Sequence, residues 1–287
     1  MAVTSLRRRR PRRIDRGKVL FWTLGMGLAL IWVVPFFWMI STSLKPEGQI
    51  LRYPPEWLPR EVTLESYARV LSFQVGRWFW NSFVVATVST LLTLVLNSAA
   101  GYAFARIPFV GREVLFVAVL TTLMMPFEAL VIPLFVMFSA AGLANTYAGL
   151  ILPGLSSAFG VFLFRQFFLG LPRDLEDAAR IDGCARWGVF WRIALPLAQP
   201  ALVALAILHF MGSWNNLFWP LIVTSSDDVK TVPVGMIQFR PGFGADQGWA
   251  FGLAMAAATI QAVPPLIVFL ILQRQFMKGI ATVGLKG

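Results

Sequence analysis

Outside the basic N-terminal tail, titratable side chains concentrate in the segment Leu171–Pro196, where four acids and four arginines lie between two long apolar runs. Glu176 and Asp177 fall in the first turn of a predicted helix, where carboxylates complement the helix dipole. Glu176 and Arg180 are four residues apart, in the order that favours an ion pair on a helix. Gly183 stands where a helix commonly ends in a left-handed residue. This pattern predicts a short charged helix that ends at Gly183.

The other reactive residue types form no catalytic set. The sequence contains one histidine, His209, which makes a Ser/His/Asp catalytic set implausible. We expect His209 to have a structural role, with its ring hydrogen-bonded inside the fold. One cysteine, Cys184, excludes an internal disulfide and a cysteine-based zinc site. The phosphate-binding pattern G-x-x-x-x-G-K-[ST] does not occur in the sequence. We therefore predict that the chain is not an enzyme and binds no cofactor or metal, so that energy for active transport must come from a partner.

Composition predicts the elements that position the charged segment. Hydrophobic residues make up 57% of the chain and charged residues 14%, against about 45–50% and about 25% in soluble domains. A helix needs about 20 mainly apolar residues to cross a bilayer. The sequence thus predicts an all-α, polytopic membrane protein with six transmembrane helices. They are Val19–Ile40, Asn81–Ala103, Val114–Phe138, Thr146–Phe168, Ala201–Thr224 and Trp249–Leu272.

Prolines and glycines recur inside these stretches, as at Pro126, Pro153, Gly212 and Pro220. Membrane helices tolerate such residues when neighbouring groups satisfy the freed backbone. Kinked helices around a cavity and kinks that serve packing alone are both compatible with this pattern.

The distribution of basic residues predicts the orientation. Eight of the 25 lie in the N-terminal tail, and with that tail inside the cell the inner side holds 18 basic residues against seven outside. This bias predicts that both termini are cytoplasmic. The tail also suits contact with anionic headgroups of the lipid bilayer, and we favour these interpretations over a nucleic-acid-binding arm.

Few residues inside the spans could contact a solute. Glu128 follows a proline and either faces a water-filled cavity or is paired structurally. Trp214, Asn215 and Asn216 combine an aromatic ring with amides, which suits hydroxyl recognition and ring stacking. The amides suit interhelical hydrogen bonds equally. These four residues are the candidates for a substrate pathway.

On its own, the charged segment allows two mechanical interpretations. It is either a rigid knob that links two membrane helices and receives a partner, or an interfacial helix that lies on the membrane surface. Leu175, Ala178 and Ala179 share one face of the predicted helix, and the small alanines would let a partner approach closely.

The segment resembles the cytoplasmic signature of ABC importer permeases, E-A-A-x3-G-x9-I-x-L-P. Asp177-Ala178-Ala179 is followed after three residues by Gly183, and after nine more by Ile193-Ala194-Leu195-Pro196. Asp177 stands where that family usually has Glu, and Glu176 precedes it. Other stretches are similar to the shorter six-span subunit of the maltose-type, carbohydrate-importing branch: Pro35–Pro46, Asn145–Pro153, Phe162–Phe168, Gly212–Val223 and Gly279–Gly287.

The resemblance implies a type I ABC importer permease fold in a bacterial or archaeal cell membrane. It also implies three protein partners: an ATP-binding cassette ATPase dimer that uses the ATP, a second homologous permease, and an extracytoplasmic sugar-binding protein. The residues that it assigns to ATPase coupling are Glu176, Asp177, Ala178, Ala179, Gly183, Ile193, Leu195 and Pro196.

The predicted organisation has five parts. They are a basic tail (1–18), a first transmembrane helix (19–40), an extracytoplasmic loop (41–75), a permease core (76–273) with its coupling loop (169–199), and a C-terminal tail (274–287). The leading function is sugar import. Import of another solute such as glycerol phosphate is the alternative, and an ion-coupled transporter working alone is opposed by the scarcity of charges in the spans.

Overall fold

The computed structural model describes residues 16–241 and 250–284. The first 15 residues of the predicted basic tail, the last three residues of the C-terminal tail and most of the outer loop segment Gln238–Gly248 lie outside these ranges. Within them the chain is built from helices joined by turns, without a strand. This architecture confirms the predicted all-α fold class.

The described residues form fifteen α-helices, numbered here in chain order. They are α1 (Arg16–Ser43), α2 (Glu47–Ile50), α3 (Glu65–Leu71), α4 (Val75–Arg106), α5 (Arg112–Thr121), α6 (Phe127–Ala140), α7 (Tyr147–Ile151), α8 (Ala158–Leu169), α9 (Asp174–Ile181), α10 (Arg186–Val189), α11 (Leu195–Leu197), α12 (Gln199–Trp214), α13 (Phe218–Val223), α14 (Val232–Met236) and α15 (Ala250–Gly284). Single turns of 3₁₀-helix follow α5, α7 and α14, and a π-helix, Phe190–Ala194, joins α10 to α11.

Three helices, α1, α4 and α15, are each long and apolar enough to cross a membrane. Three further spans are broken: α5 and α6 meet at 99°, α7 and α8 at 48°, and the α10–α11 segment meets α12 at 75°. By length and composition the described residues thus supply up to six spans, the number that the sequence predicts. The third and fourth predicted spans, which the sequence shows as continuous apolar stretches, are bent in the structure. The fifth predicted span, Ala201–Thr224, corresponds to α12 and α13 and is interrupted at 215–217, whereas the 75° bend before α12 lies inside the predicted coupling loop (169–199).

Proline explains the sharpest bend. A residue that precedes proline is disfavoured in helical conformation, and Met125 is extended at φ −87° and ψ 116° before Pro126. Pro153 lies in the 3₁₀ turn that separates α7 from α8. By contrast, Pro35 and Pro133 lie inside α1 and α6, which continue through them. The expectation of kinks at prolines is therefore confirmed at some of the positions only.

Helix α4 is the centre of the fold and packs against α8 and α12. Gly101 permits the α8 contact, because a Cβ at this position would lie 2.5 Å from the Cβ of Phe164. Small residues allow such close approach between membrane helices. A buried polar stripe on α4 satisfies backbone groups of neighbouring segments: Asn81 donates to the Lys230 carbonyl at 2.8 Å, and Asn97 accepts from the Ser157 amide at 3.3 Å. The polar residues of this span thus stabilise loops and helix breaks that packing alone would leave unsatisfied.

Candidate coupling segment and translocation cavity

The charged segment folds as the sequence predicts around Gly183. Helix α9 ends at Ile181, and Gly183 adopts φ +80°, the left-handed region. The Gly183 amide donates to the Arg180 carbonyl at 3.0 Å, and the Cys184 amide donates to the Ala179 carbonyl at 2.9 Å. These two bonds form a Schellman motif, which satisfies carbonyls at the end of the helix. The predicted helix stop is confirmed.

Beyond the glycine, the chain returns to the membrane through α10, the π-helix and α11. A π-helix is rare and marks a local insertion in a helix. Phe190, at its start, is buried, and its ring centroid lies 5.2 Å from that of Tyr102 on α4. Of the predicted coupling residues here, Ile193 and Leu195 are half-buried and Pro196 is exposed. The second half of the segment is therefore held by its aromatic contact with α4.

Glu176 is buried against α4 and does not lie on the exposed side of α9. Its Oε1 atom lies 3.1 Å from Nε of Arg106, and both side chains are less than a tenth exposed. The N–H is not aligned with this oxygen, so the contact is an ion pair and not a hydrogen bond. The hydroxyl of Tyr102 donates to Oε2 of Glu176 at 3.1 Å. Two α4 side chains thus hold the carboxylate of the coupling helix.

Arg106 connects a third helix to this cluster. Its Nη2 donates to the carbonyl oxygens of Phe168 and Leu171 at 2.6 and 2.5 Å. The Phe168 carbonyl also accepts from the Leu171 amide at 3.2 Å, so Arg106 adds a cationic donor at the C-terminus of α8, where it complements the helix dipole. One guanidinium group therefore joins the end of α4, the end of α8 and the first turns of α9. We call Tyr102, Arg106 and Glu176 the anchor cluster.

The exposed side of α9 carries a different set of residues. Leu175, Ala178 and Ile181 are spaced by three residues and share one face. Leu175 is 45% exposed and Ile181 87% exposed. Asp177 lies beside this face, with its Oδ1 atom 3.8 Å from Arg180. Exposed apolar side chains with a charged edge are typical of a protein-binding surface.

The predicted coupling residues therefore divide between two sides of α9. Asp177, Ala178 and Gly183 are exposed, whereas Glu176 and Ala179 are buried.

The four predicted pathway residues are not brought together. Asn216 lines a cavity of about 310 Å³. Trp214 is buried, and its Nε1 donates to the Gln261 carbonyl at 3.2 Å. Asn215 borders a second cavity of about 280 Å³ and donates to the Met211 carbonyl at 2.9 Å. Glu128 is exposed in the first turn of α6 and lines neither cavity. Among them, Asn216 alone contributes to the larger cavity.

Sequence reasoning missed three other polar residues of that cavity, Ser89, His209 and Ser213. Nε2 of His209 lies 3.3 Å from the hydroxyl of Thr93, as expected for a satisfied histidine. A signal was nevertheless present, because His209, Ser213 and Asn216 follow the spacing i, i+4, i+7 of one helical face.

Comparison with known proteins gives one family. Residues 97–282 match the family described as "Binding-protein-dependent transport system inner membrane component". The chain is 38% identical to the arabinooligosaccharides transport system permease protein AraQ of Halalkalibacterium halodurans, over 94% of this chain and 98% of that protein. It is 35% identical to the lactose transport system permease protein LacG of Rhizobium radiobacter, over 96% and 97%.

A third relative is named for a solute that is not a sugar. The chain is 32% identical to the sn-glycerol-3-phosphate transport system permease protein UgpE of Brucella suis, over 89% of this chain and 92% of that protein. Among solved structures, a bacterial ABC transporter involved in the import of the acidic polysaccharide alginate superposes with a TM-score of 0.80 at 21% identity. The match covers 93% of this chain and 100% of that chain. At this identity, the likeness shows the fold.

Proposed function

This chain belongs to the family of binding-protein-dependent transport system inner membrane components, and we propose that it is the permease subunit of an ATP-driven carbohydrate importer. It forms part of the translocation pathway. ATP hydrolysis in a separate ATPase drives its conformational change. Both termini are placed in the cytoplasm, on the side of the coupling segment.

One structural observation carries this proposal. The surface of α9 that a partner can reach is small and partly apolar, with Leu175, Ala178 and Ile181 exposed, while the reverse side is fastened by the buried Arg106–Glu176 pair. A partner that binds the exposed side therefore displaces α4, α8 and α9 as one body. An interfacial helix that only lies on the bilayer has no need of such a buried ionic attachment.

The partners follow from the family and from the sequence motif. An ATP-binding cassette ATPase dimer docks on the exposed side of α9 and consumes the ATP, so this chain itself needs no cofactor. A second, homologous permease completes the pathway, and an extracytoplasmic sugar-binding protein delivers the solute.

A carbohydrate is favoured as the solute because relatives at 38% and 35% identity are named for arabino-oligosaccharide and lactose transport. Glycerol phosphate is the alternative, since a relative named for it is 32% identical. An ion-coupled transporter working alone is not favoured, because the family depends on a binding protein.

The test is an affinity purification of the tagged chain from its native membrane in mild detergent, with partners identified by mass. Recovery of an ATPase and a second permease, with ATP hydrolysis that rises when the binding protein and a sugar are added, supports the proposal. Recovery of the folded chain alone contradicts the proposal. ATP hydrolysis that glycerol phosphate stimulates and no sugar stimulates also contradicts it.

A further inference from the structure

The cavity of about 310 Å³ lies among α4, α12, α13 and the turn before α8. Ser89 lines it from near the middle of the 32-residue helix α4. His209 and Ser213 line it from α12, and Trp219 lines it from α13. Its volume falls at the lower end of the range of about 300–1,000 Å³ that ligand pockets occupy. The space suits one small unit of a ligand rather than an extended chain.

One wall of the cavity is polar. The hydroxyl oxygens of Ser89 and Ser213 lie 3.3 Å apart, and Ser89 is also 3.3 Å from the Ala86 carbonyl, so either serine can donate to the other and both can bond a ligand hydroxyl. His209 contributes an imidazole, and its Nε2 is the atom near Thr93. Within the described part of the chain, the Asn216 amide side chain makes no hydrogen bond, and this residue is exposed to the cavity. Mixed donors and acceptors of this kind match hydroxyl groups, which both donate and accept.

Another part of the lining is aromatic. Trp219 is buried, and its Nε1 donates to the Gly149 carbonyl at 2.8 Å, which fixes the orientation of the indole. Phe127 packs against it edge to face, with ring centroids 6.2 Å apart. Rigid aromatic rings offer an apolar surface to the C–H faces of a sugar ring. The cavity thus combines the two kinds of wall that a sugar ring needs.

Two breaks in membrane-spanning helices border the same space. The break between α5 and α6 contributes Phe127, and the 3₁₀ turn Leu152–Gly154, before α8, contributes Pro153 and Gly154. Irregular backbone at membrane depth is tolerated where it is buried in protein or lines a water-filled cavity. Broken helices at the midplane are also where transport proteins place their substrate sites. This coincidence separates the cavity from an ordinary packing defect.

The described residues that line the cavity include no Asp, Glu, Lys or Arg. A phosphate or carboxylate group taken from water into such a site would lack a counter-charge, at a large cost in desolvation. Resting on the proposed function, we infer that this cavity is a subsite for one uncharged sugar unit, so that the shorter permease itself contacts a neutral carbohydrate. Ser213, His209 and Asn216 bind its hydroxyls, and Phe127, which is 37% exposed, contacts its apolar face.

Gly212 offers a direct test, because it lines the cavity and a Cβ at this position would meet no atom within 4 Å. A larger side chain at this position projects into the cavity without displacing the backbone. The matched control is Gly76, an exposed glycine in the first turn of α4 with equally open surroundings. We would compare Gly212→Leu with Gly76→Leu in the complete transporter, reconstituted in liposomes with its binding protein. The probes are radiolabelled lactose, arabinotriose and glycerol 3-phosphate.

We expect Gly212→Leu to lower uptake of the neutral sugar by at least about tenfold, the usual effect of a misfit of one methylene in a binding pocket. Binding-protein-stimulated ATP hydrolysis and ATPase recovery stay at the wild-type level, as does uptake by Gly76→Leu. Neutral-sugar uptake by Gly212→Leu at the wild-type rate overturns the subsite alone, as does import of glycerol 3-phosphate together with a neutral sugar by the wild-type transporter. Import of glycerol 3-phosphate and of no sugar overturns the carbohydrate function and the subsite with it. A wild-type complex that takes up none of the three probes overturns the proposed function and the subsite with it.

A second variant, Asn216→Ala, tests the sugar subsite even if Gly212→Leu fails to assemble into the transporter. This change removes an unpartnered amide and adds no bulk. We expect the KM for the neutral sugar to rise about tenfold, the upper end of what the loss of one neutral hydrogen bond produces, while maximal ATP hydrolysis is unchanged. An unaltered KM overturns the subsite.

Discussion

Glu176 and Asp177 are neighbours on α9, and both lie within 4.0 Å of Arg180, yet their side chains differ sharply in exposure. The Glu176 side chain is 7% exposed and pairs with Arg106, whereas the Asp177 side chain is 62% exposed. Asp177 occupies the acidic position of the signature motif, and Glu176 precedes it. The geometry therefore distinguishes the two carboxylates, since Glu176 holds α9 against α4 and Asp177 lies on the exposed side, where we propose that the ATPase binds.

We predict that Glu176→Gln destabilises the protein far more than Asp177→Asn. Removing one member of a buried ion pair leaves an uncompensated charge, here on Arg106, at a cost of about 3–5 kcal/mol. An exposed carboxylate contributes about 0–1 kcal/mol. Denaturant unfolding of the purified chain in detergent measures the difference.

The double variant Glu176→Gln with Arg106→Gln is the control for this experiment. It removes the orphaned cation, so part of the lost stability should return if the pair is coupled as the structure shows. Equal losses in Glu176→Gln and Asp177→Asn would contradict the anchor cluster.

Gly183→Val should weaken ATPase binding more than Gly183→Asn. The left-handed conformation at φ +80° costs an L-residue about 1–2 kcal/mol, and asparagine tolerates it better than a β-branched residue. Space is not the obstacle, because a Cβ at this position would meet no atom within 4 Å. Co-purification of the ATPase with each variant, scaled to the amount of permease, measures the effect. If Val and Asn behave alike, the turn conformation is not what the ATPase requires.

Gly101→Ala should separate α4 from α8 and lower stability by about 1–3 kcal/mol, the usual cost of overpacking. The added Cβ would lie 2.5 Å from the Cβ of Phe164 and 2.9 Å from the Arg165 amide nitrogen. Gly76→Ala on the same helix adds the same atom in open space and should have no such effect. Thermal unfolding in detergent compares the two, and a Gly101→Ala protein as stable as Gly76→Ala would count against the close contact.

We predict that Lys45, in the turn after α1, makes the free energy of unfolding increase as the pH rises. Burial lowers the pKa of Lys45 from its ordinary 10.5, and attraction to Glu56 only partly opposes this. The unfolded chain therefore binds more protons between the lowered pKa and pH 10.5, so the free energy of unfolding increases across that interval.

Lys45→Met should lose this increase, which unfolding followed by tryptophan fluorescence in detergent would reveal between neutral pH and pH 10.5. Lys230→Met is the matched control, because Lys230 is a partly exposed lysine paired with Asp227 at 2.8 Å. Lys230→Met should retain the increase in the free energy of unfolding with pH. An equal increase in Lys45→Met would contradict the predicted effect of burying Lys45.

Much of the architecture was predictable from local sequence. Six apolar stretches, the charged segment between the fourth and fifth, and the helix stop at Gly183 depend on composition and on nearest neighbours along the chain. For this reason the structure confirms the all-α class and the left-handed glycine. The bend at Pro126 also has a local cause, the conformational restriction of the residue before proline.

Tertiary packing determines which residues of the site are buried and which are exposed. Adjacent acids such as Glu176 and Asp177 look equivalent in sequence, and only the approach of Tyr102 and Arg106 from α4 makes one of them buried. Trp214 turns into the core while Asn216 faces the cavity, because the chain breaks between α12 and α13. Composition and periodicity determine which segments enter the membrane. Which face of each segment meets its neighbours depends on contacts between residues far apart in sequence, and those contacts exist only in the folded chain.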